Sequence, residues 1–233
     1  MARMLARSSG ASHAPTGSLG PAPTPIFAPD EAARMPPLDL VASEEGTVCV
    51  GGHPNATFIF KGVTWHGTDS ARMVPSGLKV HSLDHYFAFL QSWGFNALRL
   101  PFDHERVVKN PVVGADMGDE LLYAPELLEL PYSHVLLTIA RAAARRGILI
   151  VLACAKNSLA TPPGSAGGGH WVSDAVNEEL AMRSWQRLAH ALCAQSNVIG
   201  ADLFSQPYKA AWGSGDLNSD CACRHTISES NSL

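Results

Sequence analysis

Residues 94–102 read GFNALRLPF, and how this stretch folds decides the architecture. Gly94 is a helix stop. Ahead of it, residues 83–93 follow Ser82, a residue that caps helix N-termini well, so the spacing predicts a helix over 83–93. Behind the glycine, residues 96–100 form a short, largely apolar run with no polar–apolar alternation. That pattern suits a strand buried on both faces of a parallel sheet. Helix, glycine turn and buried strand together make half of a βαβ unit.

The same unit recurs in both directions. Apolar runs at 57–63, 148–154 and 198–204 read as further strands, the first preceded by a hairpin around Gly51 and Gly52. A helix over 132–146 ends in Arg145 and Arg146 followed by Gly147, the preferred charge and stop signal of a helix C-terminus. A third helix over 177–195 places Leu180, Trp185, Leu188 and Leu192 on one stripe. Strand, helix and strand alternate at intervals of roughly 40–50 residues, which argues for right-handed crossovers and an α/β fold. Two closed solutions exist, a doubly wound sheet and a β/α barrel. Gly62 and Gly67 do not form the glycine-rich turn that a dinucleotide-binding sheet needs after its first strand. Periodicity alone leaves both architectures open.

Composition narrows the function classes. The 233 residues are 46% hydrophobic and 16% charged, with a formal net charge of −4. This is the material of an ordinary globular core without the basic footprint of a nucleic-acid partner. No apolar stretch reaches the ~18–20 residues of a membrane span. The five cysteines are scattered, with no CxxC pair, and predict neither a disulfide scaffold nor a zinc site. Cys154 and Cys193 sit in apolar surroundings and read as small core residues. Residues 1–37, rich in Ala, Pro, Ser and Gly, read as a disordered leader, and residues 1–6 are too short for the apolar core of a secretory signal. An organelle transit peptide is the alternative there. The polar, turn-rich stretch from 214 onward reads as a tail. The expected organisation is a leader (1–37), a barrel-like domain (38–216) and a disordered tail (217–233).

In a β/α barrel the working residues lie at the C-terminal ends of the strands. Trp65, His66 and Asp69 follow the first strand. Asp103, His104 and Glu105 follow the second, which carries Arg99. Ala155, Lys156 and Asn157 follow the third. Ser205, Gln206, Pro207, Tyr208 and Trp212 follow the fourth.

These ends carry a family resemblance. FKGVTWHG (60–67) is similar to the KGVNWFG-type first strand of glycoside hydrolase family five, the cellulase type. GFNALRLPF resembles its second strand, GFNxIRLPF, and RRGILIVL (145–152) its third. VIGADLFSQPYKAAWG (198–213) resembles the fourth, VxGxDLxNEPH with a Trp-Gly loop after it. The four runs stand in the family's order over residues 38–216. The resemblance implies a (β/α)8 barrel, here its first four β/α units, and hydrolysis of O-glycosyl bonds in a β-linked polysaccharide with no cofactor. It also implies retaining chemistry by two carboxyl groups ~5–5.5 Å apart.

Several family positions are changed. The acid/base glutamate of the NEP motif falls at Gln206, whose carboxamide has no proton to give at neutral pH. Its neighbour, which reads the sugar's 2-hydroxyl, is Ser205. The histidine after the motif is Tyr208, and the third-strand histidine is Ala155. The family's nucleophile comes from a seventh strand, beyond the matched region, and a whole barrel takes about 250 residues. Arg99 is retained and by the resemblance steadies the nucleophile; the alternative is a pairing with a buried carboxylate inside the barrel. Trp65 and Trp212 are candidates for stacking on sugar or for packing, and His66, Ser205 and Tyr208 for substrate contact. No ligand spacing among His66, His104 and Glu105 supports a metal site. Asp103 and Glu105 read as solvated loop carboxylates rather than substitute acids. Asn55 opens an N-x-[ST] sequon that matters only in a secreted chain. The expectation is a family-five-like protein without hydrolytic activity; the alternatives are a non-catalytic descendant that binds sugar or a protein partner, or a truncated gene product with no activity. A half barrel would also self-associate through its open edges.

Overall fold

The structure is a computed structural model, and it describes residues 38–42, 46–51, 57–154 and 177–203. Its frame is a parallel four-stranded sheet with helices between the strands. Ahead of that sheet lies a two-stranded antiparallel ribbon, β1 (Leu40–Ala42) and β2 (Val48–Val50). The parallel strands are β3 (Gly62–Thr64), β4 (Ala97–Phe102), β5 (Leu149–Cys154) and β6 (Val198–Asp202), adjacent in chain order. A doubly wound sheet would reverse its strand order at a switch point. These four strands do not, and the described sheet is therefore not of that kind.

The helices are α1 (Leu83–Ser92), α2 (His104–Lys109), α3 (Tyr132–Arg145) and α4 (Glu178–Leu192). Local chemistry sets their ends. Ser82 accepts a hydrogen bond from the His85 N–H at 3.2 Å, and Asn177 does the same for Leu180 at 2.9 Å. Gly94 and Gly147 follow α1 and α3 with positive φ (+71° and +68°), the conformation that glycine enters without steric cost. No described helix is long and apolar enough to cross a membrane.

Strand alternation divides the side chains between two layers. Leu98, Leu100 and Phe102 of β4, with Ile150, Leu152 and Cys154 of β5, point into the helix-side core. There they meet Phe87 of α1, Tyr132, Leu136 and Ile139 of α3, and Leu188 of α4. Each such buried side chain contributes about 1.5–3 kcal/mol. Arg99 and Val151 alternate with them and face the opposite, inner side. Ala97, Leu149 and Ala153 are buried on that side too, which is why the strands read as continuous apolar runs.

Asparagines secure the N-terminal ends of the strands. Asn96 accepts from the Lys61 N–H at 2.8 Å and donates to the Ile59 carbonyl at 2.9 Å, clamping the approach to β3. Asn197 donates to the carbonyls of Ala140 and Ile148 at 2.9 and 3.1 Å, joining the approach to β6 to α3 and to the start of β5.

Four expectations are corrected. The run 57–63 is not one strand: Thr57 bridges antiparallel to Cys49, and only Gly62–Thr64 joins the parallel sheet. The first half of the run therefore extends the ribbon, which itself lacked a pattern strong enough to predict β1. Helix α2 was not expected; six residues are too few to show a helical stripe, although Asp103 caps it. Cys193 is exposed at the C-terminus of α4, beyond the last apolar residue of the stripe, whereas Cys154 is fully buried as expected. The helix over 177–195 ends earlier, at Leu192. The leader (1–37), the sequon Asn55 and the tail lie outside the described residues.

Candidate functional site

Arg99 stands in the middle of β4 on the inner face, and Asp202 is the last residue of β6. Strand β5 lies between them, with Arg99 in register with Val151 and Asp202 with Ala153. The guanidinium reaches across β5, and both Nε and Nη2 donate to one carboxylate oxygen, Oδ2, at 2.9 and 2.7 Å. Charge-assisted bonds of this length are the strong kind. Arg99 thus pairs with a carboxylate, as its alternative reading anticipated, but with a partly exposed one that the sequence did not single out. A signal existed: Arg99 and Asp202 are charges of opposite sign, each within an otherwise apolar strand.

The segment after β3 is held by ring contacts and hydrogen bonds. Trp65 turns toward the helix layer, where its ring lies against Tyr86 and Phe87 at centroid distances of 5.0 and 5.7 Å. Its indole N–H donates to the Ser76 carbonyl at 2.9 Å, so its one polar group is already engaged. His66 is exposed, with Nδ1 3.8 Å from Asp69 Oδ2. Gly67 has φ +127°, and a Cβ there would collide with the Val74 carbonyl oxygen. Thr68 is fully buried and donates to the Pro101 carbonyl at 2.6 Å.

After β4, Asp103 accepts from the Arg106 N–H at 2.9 Å as the cap of α2, and its other oxygen lies 3.6 Å from Arg106 Nη1. The same Arg106 nitrogen donates to the Asp69 carbonyl at 3.0 Å, joining the segments that follow β3 and β4. Glu105 pairs with Lys109 one turn along α2, and that hydrogen bond holds its carboxyl below the usual range. His104 is buried against the rings of Phe102 and Trp185, at 5.1 and 6.1 Å. Desolvation alone pushes its imidazole down to about 4. Asp103, His104 and Glu105 are thus engaged in capping, packing and a surface ion pair. Among the described residues no group of three His, Cys, Asp or Glu side chains could hold a metal ion.

Ala155 follows β5 directly in sequence, and Ser205, Gln206, Tyr208 and Trp212 follow β6. All five lie outside the described residues. Of the nominated residues, the structure places Arg99 on the inner face, Trp65 against the helix layer and His66 on the surface.

No family model matches the chain. It is 27% identical over 165 residues to an endoglucanase of Paenibacillus polymyxa, a match covering 69% of this chain and 39% of that protein. Among solved structures it resembles the cellotetraose complex of the E342A variant of an endocellulase from Pyrococcus horikoshii. That likeness has a TM-score of 0.59 at 25% identity, over 79% of this chain and 50% of the other. The catalytic domain of the major endoglucanase from Xanthomonas campestris pv. campestris gives a TM-score of 0.55 at 21% identity, over 78% and 48%. The chain thus spans about half or less of the length of the relatives it matches. Over that shared part it is similar to cellulase-type endoglucanases, and its fold is α/β of the barrel type.

Proposed function

We propose that this chain is a cellulase-like domain that recognises a β-linked glucan or cello-oligosaccharide without cleaving it. The observation that carries the reading is Gln206, four residues beyond Asp202, the end of β6, where the family motif has its acid/base glutamate. A carboxamide can hydrogen-bond a glycosidic oxygen, but it cannot protonate the leaving group or later activate water. Loss of a general acid lowers the rate by about 10²–10⁴. Ser205, Tyr208 and Ala155 change three more positions of the family motifs. The commitment of Arg99 to Asp202 supports the reading as well, because that guanidinium is already neutralised by a carboxylate of its own sheet.

Cellotetraose tests both halves of this proposal, since a relative's structure holds it and its leaving group is a poor one. Calorimetry on the 233-residue chain is expected to show binding, and chromatography of the same mixture no shorter sugars. An aryl cellobioside, whose leaving group needs little acid help, separates a missing acid from a wholly absent site. Its slow hydrolysis beside intact cellotetraose would place the defect at Gln206. Cleavage of cellotetraose by the unaltered chain would overturn the proposal.

A further inference from the structure

We infer that the Arg99–Asp202 pair is a polar anchor for two neighbouring hydroxyls of a sugar ring, an inference that rests on the carbohydrate-binding reading above. Both hydrogen bonds between the two side chains end on a single oxygen of Asp202. Its second oxygen, Oδ1, and the Nη1 group of Arg99 have no hydrogen-bond partner among the described residues. Among the described residues, one acceptor and one donor group therefore remain on an assembly whose charges already compensate each other. A sugar hydroxyl is both donor and acceptor, so one hydroxyl can give its proton to Oδ1 while its neighbour receives one from the guanidinium. A neutral polyol suits such a site better than an anion, which Asp202 would repel, or a cation, which Arg99 would repel.

Placement supports the same occupant. The two side chains remain 30% and 31% exposed, open enough to be reached yet sheltered enough for hydrogen bonds to count. Their neighbours on the inner face are short or absent side chains, Ala153 and Gly200 beside the longer Val151, which leave the charged groups standing above the sheet. Ala153 beneath them is fully buried, a small apolar floor. The pair also spans β4 to β6, so the strand that carries Asp202 sets where Arg99 can bind.

The test is titration of the 233-residue chain and its variants with cellotetraose, followed by calorimetry, with circular dichroism to confirm that each variant is folded. Asp202→Ala is expected to weaken binding by roughly tenfold or more, as expected for loss of a hydrogen bond to a charged group. Asp202→Asn, which keeps shape and an acceptor oxygen, is expected to lose less. Arg146→Ala, on the far side of the helix layer, is expected to bind as the parent does. If the parent binds and both folded Asp202 variants bind equally well, the anchor is refuted while the carbohydrate reading stands. If the parent itself does not bind, both fall. Should Asp202→Ala not fold, the Asp202→Asn titration alone decides, because unchanged affinity there refutes the anchor.

Discussion

The Tyr132 hydroxyl donates to the Thr68 carbonyl at 2.8 Å and accepts from the Asp103 N–H at 3.3 Å. One buried side chain at the start of α3 thus ties together the segments that leave β3 and β4. Its phenol is fully buried, and desolvation raises its pKa, so it stays neutral and keeps its proton for Thr68.

Tyr132→Phe keeps the ring and removes both bonds, leaving the Thr68 carbonyl and the Asp103 amide without this partner. A loss of about 1–3 kcal/mol is expected, measured as the shift in a urea unfolding midpoint at unchanged slope. An unchanged midpoint would mean that water satisfies both groups.

His104 makes stability depend on pH. Its pKa is about 4 in the fold against an ordinary 6.5, and the cause is burial between Phe102 and Trp185. The unfolded chain therefore binds a proton that the folded chain refuses between these values. The stabilisation is complete above pH ~6.5 and falls as pH drops toward ~4, by about 2–4 kcal/mol in all. Unfolding curves across that window, compared with those of His104→Phe, isolate the effect. The phenylalanine variant is expected to show a shallower slope, and an equal slope would assign the dependence to other groups.

Asn197 is 1% exposed and spends both amide protons on carbonyl oxygens of Ala140 and Ile148. Asn197→Asp replaces those donors with a charge facing two acceptors. It is expected to destabilise by about 3 kcal/mol or more at neutral pH, and to recover part of that loss as pH falls toward ~4, because burial raises the carboxyl's pKa and favours its neutral form. Asn197→Ala, which leaves two unsatisfied carbonyls but no charge, is expected to be milder. Thermal melts at pH 7 and pH 4 distinguish the two, and a milder effect from the aspartate would contradict the donor assignment.

Much of the frame was legible in the residues because its signals act over a few positions. Ser82 and Asn177 cap their helices by reaching three residues forward. Gly94 and Gly147 end helices because their own backbones take positive φ. Apolar runs at 96–100 and 148–154 announced buried strands because both of their faces meet other side chains, whereas β6, from the run 198–204, is only partly buried. Alternation with helices announced parallel strands, but their order was left open until the sheet set them side by side in chain order. Tertiary structure decided what depends on reach and register. Thr57 and Gly62 belong to one apolar run, yet the first pairs with Cys49 and the second with Ala97, because different neighbours lie alongside them. The indole of Trp65 meets Ser76 and α1 because of the direction in which its strand turns that residue. Arg99 and Asp202 stand 103 residues apart, and no local pattern links them. They meet because the sheet sets β4 and β6 on either side of β5 and the small Ala153 lets a long guanidinium cross.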